Sequence, residues 1–173
     1  MKVEHGALPR NRSRIEYLID YPQHLETVAQ WEYALWQLLH PGSVMHGWVN
    51  ALRRKLGRSQ IPLTLVMLDG DEPIGVISLI VNGNPRRVDL TPWLASLYVE
   101  PSWRGKGLGQ ALMSRGAREA KALGHEMVYL ETTETQQLFY AKFGWKLIDR
   151  ILEQGQESLI MAKQLRRTNP TPD

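Results

Sequence analysis

The stretch Leu97-Tyr98-Val99-Glu100-Pro101-Ser102-Trp103-Arg104-Gly105-Lys106-Gly107-Leu108-Gly109-Gln110 decides the fold. An apolar run from Trp93 to Val99 stops at Pro101, and a helical pattern begins near Gly107. Three alternating glycines join the two. Glycine takes positive φ without a Cβ clash and lets the backbone come close to a ligand. Amides at a helix start lack intrahelical partners, and the helix dipole favours an anion there. Arg104 and Lys106 add positive charge. The segment therefore reads as a diphosphate cradle set between a strand and a helix.

Two common phosphate loops do not match it. A kinase-type loop ends in Gly-Lys-Ser/Thr, which is not found here. The dinucleotide fingerprint needs glycine or alanine where this chain has Gln110 or Leu112. Glu131 stands at about the spacing of a ribose-binding acid, which keeps dinucleotide binding as a minor alternative.

Working outward, Gly107 to Leu123 predicts a helix. Gly109, Leu112, Met113, Gly116, Ala117, Ala120 and Leu123 share one uncharged stripe, and its small members predict close packing on a sheet. Gly124 suits the C-terminal cap. Glu126 to Thr132 predicts a strand and Thr135 to Phe143 a short helix. A strand pair, Trp145 to Leu152 and Glu157 to Leu165, turns at Gln154-Gly155. Upstream, Arg14 to Ile19 predicts a strand and His24 to Leu39 a helix stopped by Pro41-Gly42. Ser43 caps a second helix, Val44 to Leu56, ended by Gly57. Ile61 to Leu68 and Pro73 to Val81 form a hairpin about Asp69-Gly70. Asn82-Gly83-Asn84-Pro85 opens a polar loop. The order predicts an α/β fold: a mixed, mostly antiparallel central sheet flanked by helices, with one strand–helix–strand crossover. A single domain over 15–165 is expected, with a loose basic arm at 1–14 and a polar tail at 166–173.

Composition narrows the chemistry. The chain is 43% hydrophobic and 23% charged, which suits a folded domain rather than a disordered segment. It has no cysteine, which excludes disulfides, thiolate metal sites and a cysteine acyl-enzyme. The five histidines show no paired ligand spacing, so no metal is expected; His40 and His46 read as helix-end and surface residues. No apolar run reaches membrane-spanning length and the N-terminal stretch lacks a signal-peptide core, so the cytoplasm is the default location. The net charge of +3 is mild, and with no nucleic-acid motif it disfavours nucleic acid as a partner.

Two motifs resemble one family. Arg104-Gly105-Lys106-Gly107-Leu108-Gly109 is similar to the Gln/Arg-x-x-Gly-x-Gly/Ala signature of the GCN5-related N-acetyltransferases (GNAT). Leu138-Phe139-Tyr140-Ala141-Lys142-Phe143-Gly144-Trp145 resembles that family's leucine-tyrosine-x-x-x-glycine-aromatic segment. Leu97-Tyr98-Val99 resembles its strand that pairs with pantetheine. The likeness covers 15–165 in layout and 93–145 in motifs. It implies a GNAT-like sheet, acetyl-CoA as cosubstrate, and an amine-bearing small molecule or peptide as acceptor, in a monomer or homodimer. It further implies that Leu97 and Val99 hold pantetheine by backbone groups. Amides from Gly105 through Lys106, Gly107, Leu108 and Gly109 to Gln110 would hold the diphosphate. A splay between the Trp93–Val99 and Glu126–Thr132 strands would admit the thioester.

Acetyl transfer to an amine moves two protons: one leaves the amine and one reaches the departing sulfur. With no cysteine and no Gly-x-Ser-x-Gly elbow, direct attack in a ternary complex is the simplest scheme. Tyr140, whose phenol stays protonated at neutral pH, is the acid candidate because it matches the family tyrosine. Glu131 is the base candidate, against Asp89, Glu100 or a water chain. The asparagine that often contacts coenzyme A in the family is absent, and Gln136 or Thr133 would substitute. The family resemblance makes the first two helices, with Trp31, Trp36 and Trp48, walls of the acceptor site; core packing is the simpler reading for at least two of the three. Arg53, Arg54, Lys55 and Arg58 read as a solvated helix face. The rival functions are a non-catalytic coenzyme A-binding module of the same fold and a nucleic-acid-binding domain using the arm and this basic run.

Overall fold

The computed structural model of the chain describes residues 13–37, 42–153 and 155–165. Its elements run β1 (Ser13–Tyr17), α1 (Leu25–Trp36), α2 (Met45–Arg53), β2 (Leu63–Asp69), β3 (Glu72–Ile80) and β4 (Trp93–Val99). They continue as α3 (Leu108–Ala122), β5 (Met127–Thr132), α4 (Glu134–Ala141), β6 (Lys146–Glu153) and β7 (Gln156–Gln164). The strands make one sheet in the order β1-β2-β3-β4-β5-β7-β6. Every neighbouring pair is antiparallel except β4–β5, which α3 joins as the crossover. The fold is the α/β arrangement expected from the sequence.

Strand alternation distributes the core over both faces of the sheet. Leu63, Leu65 and Met67 of β2 pack with Leu112, Met113 and Ala117 of α3. The intervening Val66 and Leu68 pack with Val28, Ala29 and Trp31 of α1 and Leu52 of α2. Because both faces are covered, β2 and β3 read as near-continuous apolar runs. Each fully buried leucine contributes about 1.5–3 kcal/mol. The small stripe of α3 brings helix and sheet into close contact. A Cβ on Gly116 would stand 2.6 Å from Leu94 Cδ2. Glu119 ties the same helix to β1, accepting from the Tyr17 hydroxyl at 2.7 Å.

Element ends differ in detail. The first strand stops at Tyr17, and Leu18–Asp20 form a 3-10 turn instead of extending it. Ser13, expected in the arm, and Arg14, expected at the arm's end and the strand's start, pair with Asp69 and Leu68. In α2 the N-cap is Val44, in extended conformation with no side-chain cap, rather than Ser43. The Ser43 hydroxyl is instead buried without a hydrogen-bond partner among the described residues. Residues 1–12, Leu38 to Pro41, Gln154 and the 166–173 tail lie outside the described residues.

Candidate active site

Strands β4 and β5 meet at one registered pair, Trp93 opposite Tyr129, where the Tyr129 N–H donates to Pro92 O at 3.0 Å. Beyond it they part. β5 stays paired to β7 as far as Thr132 opposite Leu159, while β4 follows β3. An extra residue in β4 sets its path: Val76 faces Tyr98 and Ser78 faces Ala95, so one residue of β3 opposes two of β4, Ser96 and Leu97. Ser96 takes φ +56° to make this bulge. A non-glycine residue held there costs on the order of 1–3 kcal/mol, a strain typical of functional sites.

A cavity of about 480 Å³ occupies the opening. Leu97 lines it from β4, Glu131 from β5, and Gln136 and Tyr140 from α4. Burial pushes the Tyr140 phenol above its ordinary pKa, so it remains a proton donor throughout the neutral range. Its ring sits 5.3 Å from that of Phe139, which lies 5.2 Å from Phe143. Gln136 accepts from the Thr132 hydroxyl at 3.3 Å. Thr133 is the N-cap residue of α4, pairs with Thr135 and does not line the cavity.

Glu131 is an exposed strand-end residue whose Oε2 accepts from Asn84 Nδ2 at 3.1 Å. Asn84 is 3% exposed, and its Oδ1 accepts the Arg86 N–H at 2.9 Å. Other residues of the 82–92 loop are tied down as well. A Cβ on Gly83 would lie 2.6 Å from the Trp93 ring, and Trp93 Nε1 donates to Leu90 O at 2.7 Å. Arg87 bridges Asp89 at 2.9 Å and Asp149 at 2.7 Å. The Arg87 guanidinium holds the Asp89 carboxyl below the usual carboxylate range. Neither Asp89 nor Glu100, the competing base candidates, lines the cavity. Asn84 was not singled out from the sequence; an Asn-Gly-Asn-Pro loop carries only a turn signal, and its partner lies 47 residues away.

The glycine turn stands beside this opening, at the end of β4. Gly105 and Gly107 have φ of +75° and +77°, and a Cβ on either would meet nothing within 4 Å. Gly107 is the N-cap of α3 and offers no side-chain cap. The helical ladder begins with the Ala111 N–H on Gly107 O at 3.1 Å. The amides of Leu108, Gly109 and Gln110 therefore lack helical partners, as an anion cradle requires, and the space beside Gly105 and Gly107 is open. Gly109 differs from the other two: it lies inside the helix, without positive φ. Arg104 folds back, donating from Nε to Val99 O at 2.8 Å and lying over the Tyr98 ring at 5.4 Å. Lys106 Nζ lies over Trp103 at 4.7 Å. Both cations stay at the turn, held by their neighbours rather than standing free.

The Tyr98 ring stacks on Trp31 at 5.0 Å in the α1/α2 core. Trp31 is thus a core residue, and Trp48 packs half-buried against the same core while also lining the cavity beside Trp36, so two of the three pack in the core as the simpler reading expected. The basic run is divided: Lys55 pairs with buried Glu32 at 2.6 Å, and Arg58 pairs with Asp20 and covers the Tyr17 ring. Among the described residues no three His, Asp or Glu side chains are grouped to hold a metal ion. No described helix is long and apolar enough to cross a membrane.

Comparison with known proteins agrees with this geometry. No curated protein matches the sequence. Among solved structures, an aminoglycoside 6'-N-acetyltransferase complexed with coenzyme A is 18% identical; the match covers 92% of this chain and 99% of that one, with a TM-score of 0.68. An aminoglycoside 6'-N-acetyltransferase from Enterococcus faecium is 19% identical, with the same coverage and a TM-score of 0.68. The Salmonella typhimurium protein yncA, solved with its cofactor acetyl-CoA, is 17% identical; the match covers 93% of this chain and 98% of that one, with a TM-score of 0.65. At these identities the likeness is one of fold. The acetyltransferase (GNAT) domain model, by contrast, matches residues 61–147, half of the 173-residue chain, and includes the bulged strand, the glycine turn and Tyr140. The chain belongs to the GNAT acetyltransferase family.

Proposed function

We propose that this protein moves the acetyl group of acetyl-CoA to a primary amine by direct attack in a ternary complex. The observation that carries the reading is the cavity where β4 and β5 part, with Tyr140 and Glu131 on its wall. The uncapped start of α3 supplies backbone donors suited to the cofactor's diphosphate, and Gly105 and Gly107 leave room for it. Solved relatives that hold coenzyme A or acetyl-CoA support the same ligand here.

Acetyl-CoA supplies the acetyl group as a thioester. Strand residues Leu97 and Val99 present backbone groups to the pantetheine arm. Glu131, steadied by Asn84, takes a proton from the amine directly or through water. That first proton passes from Glu131 to solvent; the neutral amine nitrogen then bonds the acetyl carbon as the carbon–sulfur bond breaks, and Glu131 takes the second N–H proton. Tyr140 gives its proton to the departing sulfur, and its burial keeps that proton in place until then.

Calorimetry, thermal melting and thiol release test this reading together. At 100 times its dissociation constant a ligand adds about 2.7 kcal/mol of stability, and the melting point should rise by about 5–10 °C. Absence of both heat and shift refutes cofactor binding. Binding without thiol release for any amine favours the non-catalytic module instead.

A further inference from the structure

The described wall of the acceptor end of the cavity has a distinctive chemistry. Leu35 and Trp36 come from α1, Trp48 from α2, Ile80 from β3 and Trp93 from β4. Among the described lining residues Glu131 is the sole carboxylate, and none is Lys, Arg or His. Its other polar groups, on Ser96, Gln136 and Tyr140, are neutral. Arg87 bridges Asp89 and Asp149, and Lys55 holds Glu32.

The wall is also stiff. Trp93 is 1% exposed, pinned by Leu90 O and by Gly83 against its ring. Trp48 meets Tyr33 edge-on at 6.3 Å. A rigid aromatic slot accepts a flat apolar group with little entropy loss.

Charge then restricts what enters. One carboxylate balances one ammonium. A second or third ammonium entering the slot would be desolvated with no partner, and so would an acceptor's own carboxylate. From this wall we infer that the acceptor is a singly charged primary amine on an apolar, preferably aromatic body, with no anionic group: an arylalkylamine or the amide or peptide of a hydrophobic amino acid. Polyamines, aminoglycosides and free amino acids are excluded, although two of the structural relatives carry aminoglycoside in their names. Fold likeness does not transmit the acceptor, because acceptor-facing side chains vary on a constant scaffold.

This inference rests on the acetyl-transfer reading, so the test keeps the two apart. Phenethylamine, phenylalaninamide, phenylalanine, spermidine and kanamycin are compared by kcat/KM for thiol release from acetyl-CoA. The same amines are titrated by calorimetry into protein saturated with coenzyme A, which reads acceptor binding without turnover. Phenethylamine and phenylalaninamide should lead spermidine, kanamycin and phenylalanine by about tenfold or more, the worth of one to two aromatic contacts or one unpaired charge. A lead for spermidine or kanamycin, or equality of phenylalanine and its amide, overturns the acceptor class and leaves acetyl transfer standing. Failure of acetyl-CoA itself to bind refutes the activity reading. Cofactor binding with no calorimetric preference for the aromatic amines overturns the class whatever the turnover.

Two variants locate the effect. Trp48→Ala should raise KM for phenethylamine about tenfold with a smaller change in kcat. Leu35 is 41% exposed on α1, so a charge there should leave the fold intact. Leu35→Glu adds the missing second carboxylate and should move the spermidine-to-phenethylamine ratio of kcat/KM toward spermidine by about tenfold. An unchanged ratio in a folded Leu35→Glu protein overturns the inference.

Discussion

Asn84 holds Glu131: its side-chain amide donates to Glu131 Oε2 at 3.1 Å across 47 residues of sequence. The donor is almost fully buried and is itself fixed by the Arg86 N–H, so it orients the carboxylate at the cavity wall. In the proposed reaction a base aimed by a rigid partner needs less reorganisation when the amine arrives.

Asn84→Asp tests this arrangement. The substitution keeps the oxygen that accepts from Arg86 and replaces the donor with a second carboxylate oxygen. The Glu131 carboxylate thereby loses its donor and faces a like charge. kcat/KM at neutral pH should fall by roughly tenfold. Adding Asn84→Asp to Glu131→Gln should cost nothing further. An equal loss in both backgrounds would show that Asn84 acts through another group.

Tyr140→Phe removes one hydroxyl and almost no volume. Turnover should fall by roughly 10²–10⁴ if departure of sulfur limits the rate, while cofactor affinity changes little. The buried phenol has its pKa raised above the ordinary 10.0. The wild-type alkaline limb for this group should therefore lie above pH 10. The same raised value makes a stability contribution that is complete below pH 10 and lost as pH climbs through the folded pKa. Tyr140→Phe should lack that loss in alkaline melts.

The glycines of the turn separate folding from binding. Gly107 has φ +77°, so Gly107→Val strains the backbone by about 1–3 kcal/mol as well as covering the cradle. Gly109 is helical, and a Cβ there would meet only Val99 Cγ2 at 4.0 Å. Gly109→Ala should leave the melting point unchanged or raise it by the helix preference of alanine, up to about 0.5–1 kcal/mol. Acetyl-CoA affinity should fall all the same. Unaltered affinity in Gly109→Ala would place the diphosphate elsewhere.

Gly116→Val probes the α3–sheet contact. Its Cβ meets Leu94, a cavity-lining residue, at 2.6 Å. Overpacking should cost about 1–3 kcal/mol in chemical denaturation and raise KM by displacing Leu94. An unchanged midpoint would mean that the Leu94 side chain turns aside at little cost.

The sequence by itself determined what local rules control. Proline stops, glycine spacing and apolar periodicity placed β4 at its observed limits and α3 within one residue at each end, and gave the whole order of elements. Gly124, at φ +89°, closes α3 where a C-terminal glycine was expected. Tertiary structure alone decided the rest. β7, not β6, lies against β5, because a hairpin's own pattern does not say which of its strands joins the sheet. The Ser96 bulge is a mismatch between two strands and exists only once they pair. Trp31, Trp36 and Trp48 look alike along the chain, yet the fold buries the first, divides Trp48 between core and cavity and sets Trp36 on the cavity wall. Asn84 reads as a loop residue until the sheet brings Glu131 to it, since a contact between distant residues leaves no periodicity in either segment.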